Sequence, residues 1–126
     1  MSQLERICEN LKITCNAEYS SDPIPDTFTP GSTAWEVTLR FGTRKLTVPF
    51  YTGPAICKEP NAADVLYCLI SDARAGDSTF EDFCSEFGYD SDSRKAYATW
   101  QQCQRIAPKL HKFLGDHFEE IANAEH

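Results

Sequence analysis

The apolar residues of this chain change their spacing near residue 60, and this change indicates the fold class. Before it, apolar and polar residues alternate in AWEVTLRF (34–41) and KLTVPFY (45–51), which is the period of a half-buried strand. After it, apolar residues recur at intervals of three and four, which is typical of amphipathic helices. Because strands and helices are segregated along the chain, the sequence predicts an α+β fold.

The first half predicts a small three-stranded antiparallel sheet. FGTRK joins 34–41 to 45–51 as a tight turn, so these two runs form a β-hairpin. KITCNAEY (12–19) alternates in the same way and supplies the third strand. Pro49 has no N–H to donate to a ladder, which favours an edge strand.

Capping residues predict where the helices begin and end. The predicted N-terminal caps are Ser2 with Glu5, which opens an N-terminal helix over 3–11, Asn61, Ser78 with Glu81, and Asp90 or Ser91. Gly76, Gly88 and Gly115 are the predicted ends. Pro108 should kink or interrupt the helix that contains it. With a last short helix after Gly115, the second half becomes a cluster of three to five helices.

The length of 126 residues indicates one domain, 1–126, with an N-terminal helix and β-meander in 1–58 and a helical part in 60–124. SDPIPDTFTPGS (21–32) and TGPAICKEP (52–60) read as irregular loops. No apolar run approaches the roughly 20 residues that span a bilayer. Charges occupy the N-terminus where a signal peptide needs apolar residues. We therefore expect a cytoplasmic protein without a membrane partner.

Six cysteines could form three disulfides in a secreted protein, but a reducing compartment argues against that here. They are Cys8, Cys15, Cys57, Cys68, Cys84 and Cys103. No CxxC pair occurs among them, and most fall in apolar patterns, so we expect buried thiols and neither metal nor cofactor. A metal or redox site formed by Cys68, Cys84, Cys103 and His111 is the alternative.

No residue pattern in the chain predicts catalysis. Asp90-Ser91-Asp92 resembles the start of a calcium loop, but Arg94, Lys95 and Gln101 stand where the third ligand, the glycine and the glutamate should be. Those acids instead suit the seam between two helices, where negative groups favour a helix start. The histidines His111, His117 and His126 follow no catalytic or metal spacing and are expected at the surface. We predict a protein that is not an enzyme.

The net charge of −7 is concentrated in one segment, because residues 64–92 carry eight acids and one base, Arg74. A concentrated negative field speeds encounter with a basic partner, whereas the plainer explanation is solubility. The candidate partner-binding residues are Asp72, Asp77, Glu81, Asp82, Glu86, Asp90 and Asp92.

A second interpretation is direct nucleic-acid binding. TFEDFCSEF, the turn GYD and SRKAYATWQQCQR have about the lengths of a helix-turn-helix. The candidate nucleic-acid-binding residues are Arg94, Lys95, Arg105, Lys109 and Lys112. The acidic first helix and the acidic chain argue against this interpretation, because phosphate binding needs a clustered basic surface.

Several stretches within about 35–115 resemble a small, largely uncharacterised protein family of bacteriophages and integrative elements. They are WEVTL, RKLTVPFYTG, AADVLYCLISDA, FEDFCSEFGYDSDSRKA and LHKFLG. The resemblance implies a mobile-element context, in which small acidic proteins often counter host defence as anti-CRISPR or anti-restriction proteins, some by acting as DNA mimics. It implies no catalytic residue. We therefore expect a non-enzymatic inhibitor that places an acidic helical surface in the nucleic-acid-binding site of a defence complex.

Overall fold

The structure is a computed structural model that describes residues 2–21, 23, 30–54 and 59–125. Its elements are α1 (Gln3–Leu11), β1 (Thr14–Tyr19), β2 (Thr33–Phe41), β3 (Arg44–Thr52), α2 (Ala62–Asp77), α3 (Phe80–Phe87), α4 (Arg94–Leu114), a 3₁₀ turn (Gly115–His117) and α5 (Phe118–Ala122). The predicted α+β fold, with its N-terminal helix, three antiparallel strands and helical second half, is confirmed. Most of the predicted loop 21–32 and part of 52–60 lie outside the described residues.

The chain divides into two compact units, Met1–Val65 with Ala124–His126 and Leu66–Asn123. The boundary falls within α2, so this one helix contributes residues to both units. The expectation of a single domain stays a prediction. No helix among the described residues is both long and apolar enough to cross a membrane.

The sheet of the first unit has the strand order β1-β2-β3 and is antiparallel throughout. Ala17, Val37 and Val48 are opposite one another across the three strands, and all are buried. Buried Trp35 donates its Nε1–H to Thr52 Oγ1 at 2.8 Å. Pro49 lies in the edge strand β3, as its missing N–H predicts.

The N-terminal helix begins at the predicted cap. The Ser2 hydroxyl accepts the backbone N–H of Glu5 at 3.1 Å, and the helix buries Leu4 and Cys8. It ends at Lys12, whose left-handed backbone (φ 58) turns the chain so that the N–H of Ile13 donates to the carbonyl of Cys8 at 2.9 Å. The start of α1 is thus fixed by the Ser2 side chain, and its end by the left-handed backbone of Lys12.

Helix α2 starts where predicted but ends later. The Asn61 side chain accepts the N–H of Asp64 at 2.8 Å. The prediction that Gly76 ends the helix is wrong, because α2 continues to Asp77. A Cβ at Gly76 would overlap the backbone carbonyl of Cys103 in α4. This glycine therefore permits close helix packing rather than a helix stop.

The prediction of Ser78 as the cap of α3 is wrong by one residue. Thr79 has the extended backbone of a cap, and its hydroxyl accepts the N–H of Asp82 at 3.2 Å. Ser78 instead donates its hydroxyl to the carbonyl of Ala75 at 2.7 Å, where it satisfies a carbonyl in the last turn of α2. The predicted end of α3 at Gly88 is confirmed by its left-handed φ of 73.

The start predicted for α4 is also wrong. Ser93, not Asp90 or Ser91, accepts the N–H of Ala96 at 3.2 Å. The N–H of Ser93 donates to the carbonyl of Asp90 at 3.0 Å, so the earlier residues form a turn that leads into the cap. Helix α4 passes through Pro108 without interruption and ends at the predicted Gly115.

Candidate docking surface

The seven candidate acidic residues all lie in the second unit and are all exposed. Asp72 and Asp77 are in α2, three acids are in α3, and Asp90 and Asp92 are in the link between α3 and α4. The structure therefore places the predicted surface on two consecutive helices and one short link.

The three acids of α3 occupy one side of that helix. At about 100° per residue, Glu81, Asp82 and Glu86 fall within an arc of about 140°. Phe83 and Cys84, which are buried, lie on the opposite side. The short helix thus presents an acidic face to solvent while its apolar face packs in the core.

Only limited compensation of these charges is seen among the described residues. The Nε2 atom of His111 lies 2.9 Å from Asp77 Oδ2, and the His111 ring packs on Phe118 with centroids 4.0 Å apart. No lysine or arginine within the described ranges forms an ion pair with any of the seven carboxylates. Arg74, the one base of 64–92, donates to the carbonyl of Ala122 at 2.9 Å. Within the described residues, the charges of the other six carboxylates are therefore not balanced by an ion pair.

One member of the surface differs electrostatically from the rest. Burial of the carboxyl raises the pKa of Asp72 to about 6, although the residue as a whole is exposed. The pKa of the Cys103 thiol is raised mainly by its burial and, to a smaller extent, by the negative charge of Asp72. Asp72 thus lies at the margin of the surface, where α2 approaches α4, rather than at its solvated centre.

A cluster of aromatic rings lies beside the acidic residues, and its exposure does not follow from the apolar spacing of the sequence. Its members are Phe80, Phe83, Phe87, Tyr89, Tyr97 and Trp100. Phe80, Phe83, Cys84 and Phe87 follow the three-and-four apolar spacing typical of a core-facing helix side, yet 48% of Phe87 is exposed. Its place in the final turn, directly before the Gly88 cap, is the signal that could have indicated this.

The five candidate basic residues are exposed and lie on one side of α4. At 100° and 1.5 Å per residue, they fall within an arc of about 100° and along about 27 Å of the helix. However, the link Gly88–Ser93 has six residues, whereas the predicted turn GYD has three. The basic stripe exists, but its connection to α3 is longer than in a helix-turn-helix.

Four of the described cysteines offer little reactivity at neutral pH. Burial raises the pKa of Cys8, Cys15 and Cys103 to about 11, and burial with nearby Asp90 also raises that of Cys84. Since the thiolate is the reactive form, these groups are poor nucleophiles. Cys68 is exposed, contrary to the expectation of a buried thiol for it.

Cys57 and His126 lie outside the described residues, and no group of three or more metal-binding side chains is assembled within them. The Nδ1 atom of His117 lies 3.1 Å from Glu120 Oε2, and His117 is partly exposed. His111 is exposed as predicted. In the first unit, the residues that line an open cavity of about 450 Å³ beside α1 include Cys8 and Cys15. The raised pKa of each thiol keeps Cys8 and Cys15 protonated at neutral pH.

No protein-family description, curated protein or solved structure matches this chain. The resemblance to a bacteriophage and integrative-element family therefore stays a prediction, and the site is assigned from its geometry.

Proposed function

We propose that the protein is a non-enzymatic binding protein of mobile-element origin that acts in the cytoplasm of a bacterial host. Its acidic surface would occupy the nucleic-acid-binding site of a basic host protein, such as a CRISPR–Cas or restriction complex. The observation that carries the proposal is that all seven acidic residues on α2, α3 and the link after α3 are exposed, although the carboxyl of Asp72 is partly desolvated.

Folding stability does not explain the acidic residues of α3, because their like charges repel one another. Asp82 and Glu86 stand four residues apart on α3 with the same charge, a pairing that costs an isolated helix roughly 0.2–0.5 kcal/mol. Glu81 and Asp82 recover part of this cost in the first turn, where the helix dipole favours acids, but Glu86 lies beyond it. A concentrated field of one sign is what accelerates association with a partner of the opposite sign.

The experiment measures binding to purified CRISPR effector and restriction complexes in increasing salt. We expect binding at about 0.05 M salt that weakens steeply towards about 0.5 M, because screening shortens the range of exposed charges. DNA that fills the same channel should compete with the protein. No binding to any of these complexes at low salt would overturn the proposal.

A matched pair of triple variants separates a local surface from net charge. Glu81→Gln, Asp82→Asn and Glu86→Gln remove three charges from α3, whereas Glu9→Gln, Glu18→Gln and Glu36→Gln remove three exposed charges from the first unit. We expect the α3 variant to bind at least about tenfold more weakly and the control to stay within about twofold. Equal losses would mean that overall charge, which also serves solubility, explains the acidic segment.

The basic stripe of α4 supports a second candidate, a nucleic-acid-binding accessory protein. Gel-shift assays with double- and single-stranded DNA at low salt test it, because phosphate contacts are strongest there. Arg105→Gln with Lys109→Gln should abolish a shift, while exposed Arg40→Gln with Lys45→Gln in the sheet should not. Absence of a shift at micromolar protein would retire this candidate.

A further inference from the structure

Two half-exposed aromatic rings interrupt the acidic residues where α3 ends. Phe87 is 48% exposed and Tyr89 is 40% exposed, and along the chain Glu86 directly precedes Phe87 while Asp90 directly follows Tyr89. Exposed large apolar groups that adjoin one another are typical of binding surfaces. Phe87 and Tyr89 are called the ring pair below.

Both members of the ring pair rest on one buried ring. Phe83, which is 2% exposed, has its centroid 5.0 Å from that of Phe87 and 5.6 Å from that of Tyr89. The Tyr89 ring is nearly parallel to Phe83, with 21° between their planes. One side of each ring is thus supported by the core while the rest remains accessible.

The backbone that presents the ring pair is fixed by hydrogen bonds. Gly88 adopts the left-handed conformation of a helix cap, and its N–H donates to the carbonyl of Cys84. The N–H of Tyr89 donates to the same carbonyl at 2.9 Å. This pattern is that of a helix-ending motif, so the backbone that carries the ring pair is fixed before any partner arrives.

We infer that the ring pair, with Glu86 and Asp90, docks an arginine-containing segment of the basic partner. This inference rests on the proposed function and names the chemistry of its partner. A guanidinium is planar and stacks on aromatic faces while its N–H groups pair with carboxylates. A lysine ammonium is more strongly hydrated and lacks the planar fork, so it gains less from the rings. The combination of supported rings and uncompensated carboxylates therefore selects arginine over lysine.

Two fluorescent peptides of equal length and charge test this selection on the full chain at low salt. One repeats Arg-Gly-Ser and the other repeats Lys-Gly-Ser, and binding is followed by fluorescence anisotropy. We expect the arginine peptide to bind about tenfold more tightly, since two cation–π contacts act at exposed sites. Equal affinity of the unmutated protein for the two peptides would overturn the inference without need of any variant.

A matched aromatic control lies in the same ring cluster. Phe87→Leu with Tyr89→Leu should reduce the arginine preference to within about twofold. Tyr97→Leu removes a ring of similar exposure, 46%, but one that follows Arg94 by three residues rather than adjoining acids, and it should leave the preference intact. An equal loss in both variants would contradict the assignment.

Failure of the inference and failure of the proposed function give different results. If Glu86→Gln with Asp90→Asn weakens both peptides while the ring variants change nothing, the acidic surface binds cations and the arginine selection is wrong. If neither peptide binds at low salt, the proposed function fails as well. If the unmutated chain self-associates in sedimentation and Phe87→Leu with Tyr89→Leu abolishes it, a second copy occupies the rings and the inference is wrong.

Discussion

At the scale of single residues, Gly76 and Asp72 show how closely the acidic segment approaches α4. They are four residues apart and therefore lie on the same side of α2. A Cβ at Gly76 would meet the backbone of Cys103, and the pKa of the Cys103 thiol is raised by burial and, after it, by the negative charge of Asp72. This side of α2 thus has one position without room for a Cβ, Gly76, and one partly desolvated carboxylate, that of Asp72.

Replacing Gly76 by alanine should destabilise the protein. The new Cβ would overlap backbone atoms of Cys103 and Gln104, which cannot move away as a side-chain end could. We expect a loss of about 1–3 kcal/mol in the free energy of unfolding, typical of overpacking, despite a helix-propensity gain of about 1 kcal/mol. Urea denaturation measures it. Gly53→Ala is the matched control, because its Cβ would meet no atom within 4 Å, and an equal loss there would contradict the packing explanation.

Asp72→Asn should stabilise the protein at neutral pH and much less at acid pH. Because the pKa of Asp72 is raised from 3.8 to about 6 on folding, ionisation costs stability above pH 6, and the cost disappears as the pH falls below 4. The residue is exposed, so solvent screening limits the gain at pH 7.5 to at most about 1 kcal/mol. Urea denaturation of both proteins at several pH values measures the difference. A gain that is independent of pH would contradict the assignment.

At the scale of elements, hydrophobic period and capping residues predicted the helices and strands of the described residues, but local rules placed some of their ends wrongly. The strands were predicted well because alternation and one short turn determine the register of a hairpin. The segment before α4 offered Asp90, Ser91 and Ser93, which are all good capping residues. Only the position of buried Ala96 against Phe83, Cys84 and Cys103 decides among them.

The candidate surface shows the same division. The concentration of acidic residues in one segment can be counted directly from the sequence and was therefore predictable in full. The exposure of Phe87 was not, because the three-and-four spacing that marks the core face continues to the last turn of α3. Whether the last turn of a helix is buried depends on which elements pack against it, and the spacing of apolar residues does not predict that packing.

Because Ser93 and not Ser91 caps α4, Ser93→Ala should lower the free energy of unfolding, whereas Ser91→Ala should not. The Ser93 hydroxyl accepts the N–H of Ala96 at 3.2 Å, and loss of such a cap costs roughly 0.5–2 kcal/mol. Ser91 is exposed, so its replacement should stay within about 0.5 kcal/mol. Thermal or urea denaturation distinguishes the two. If Ser91→Ala proves the more costly, α4 begins earlier than the structure places it.

At the scale of the whole molecule, α2 belongs to both compact units. It supplies Ala62, Ala63 and Val65 to the buried residues of the first unit, and Leu66, Leu69 and Ala73 to those of the second. A helix that loses one half of its packing is marginally stable by itself, because most helix stability in proteins comes from tertiary contacts. We therefore expect unfolding of either unit to destabilise the other.

The two tryptophans test this coupling because each unit contains one. Trp35 is buried in the first unit and Trp100 is partly buried in the second. Trp100→Phe leaves Trp35 as the fluorescent reporter, and Trp35→Phe leaves Trp100. In each variant we expect the urea midpoint from tryptophan fluorescence to coincide with that from far-UV circular dichroism, which reports the whole chain. Each variant is its own control, since any loss of stability from the substitution affects both signals. Midpoints that differ would show that the units unfold independently, and the chain would then consist of two domains rather than one.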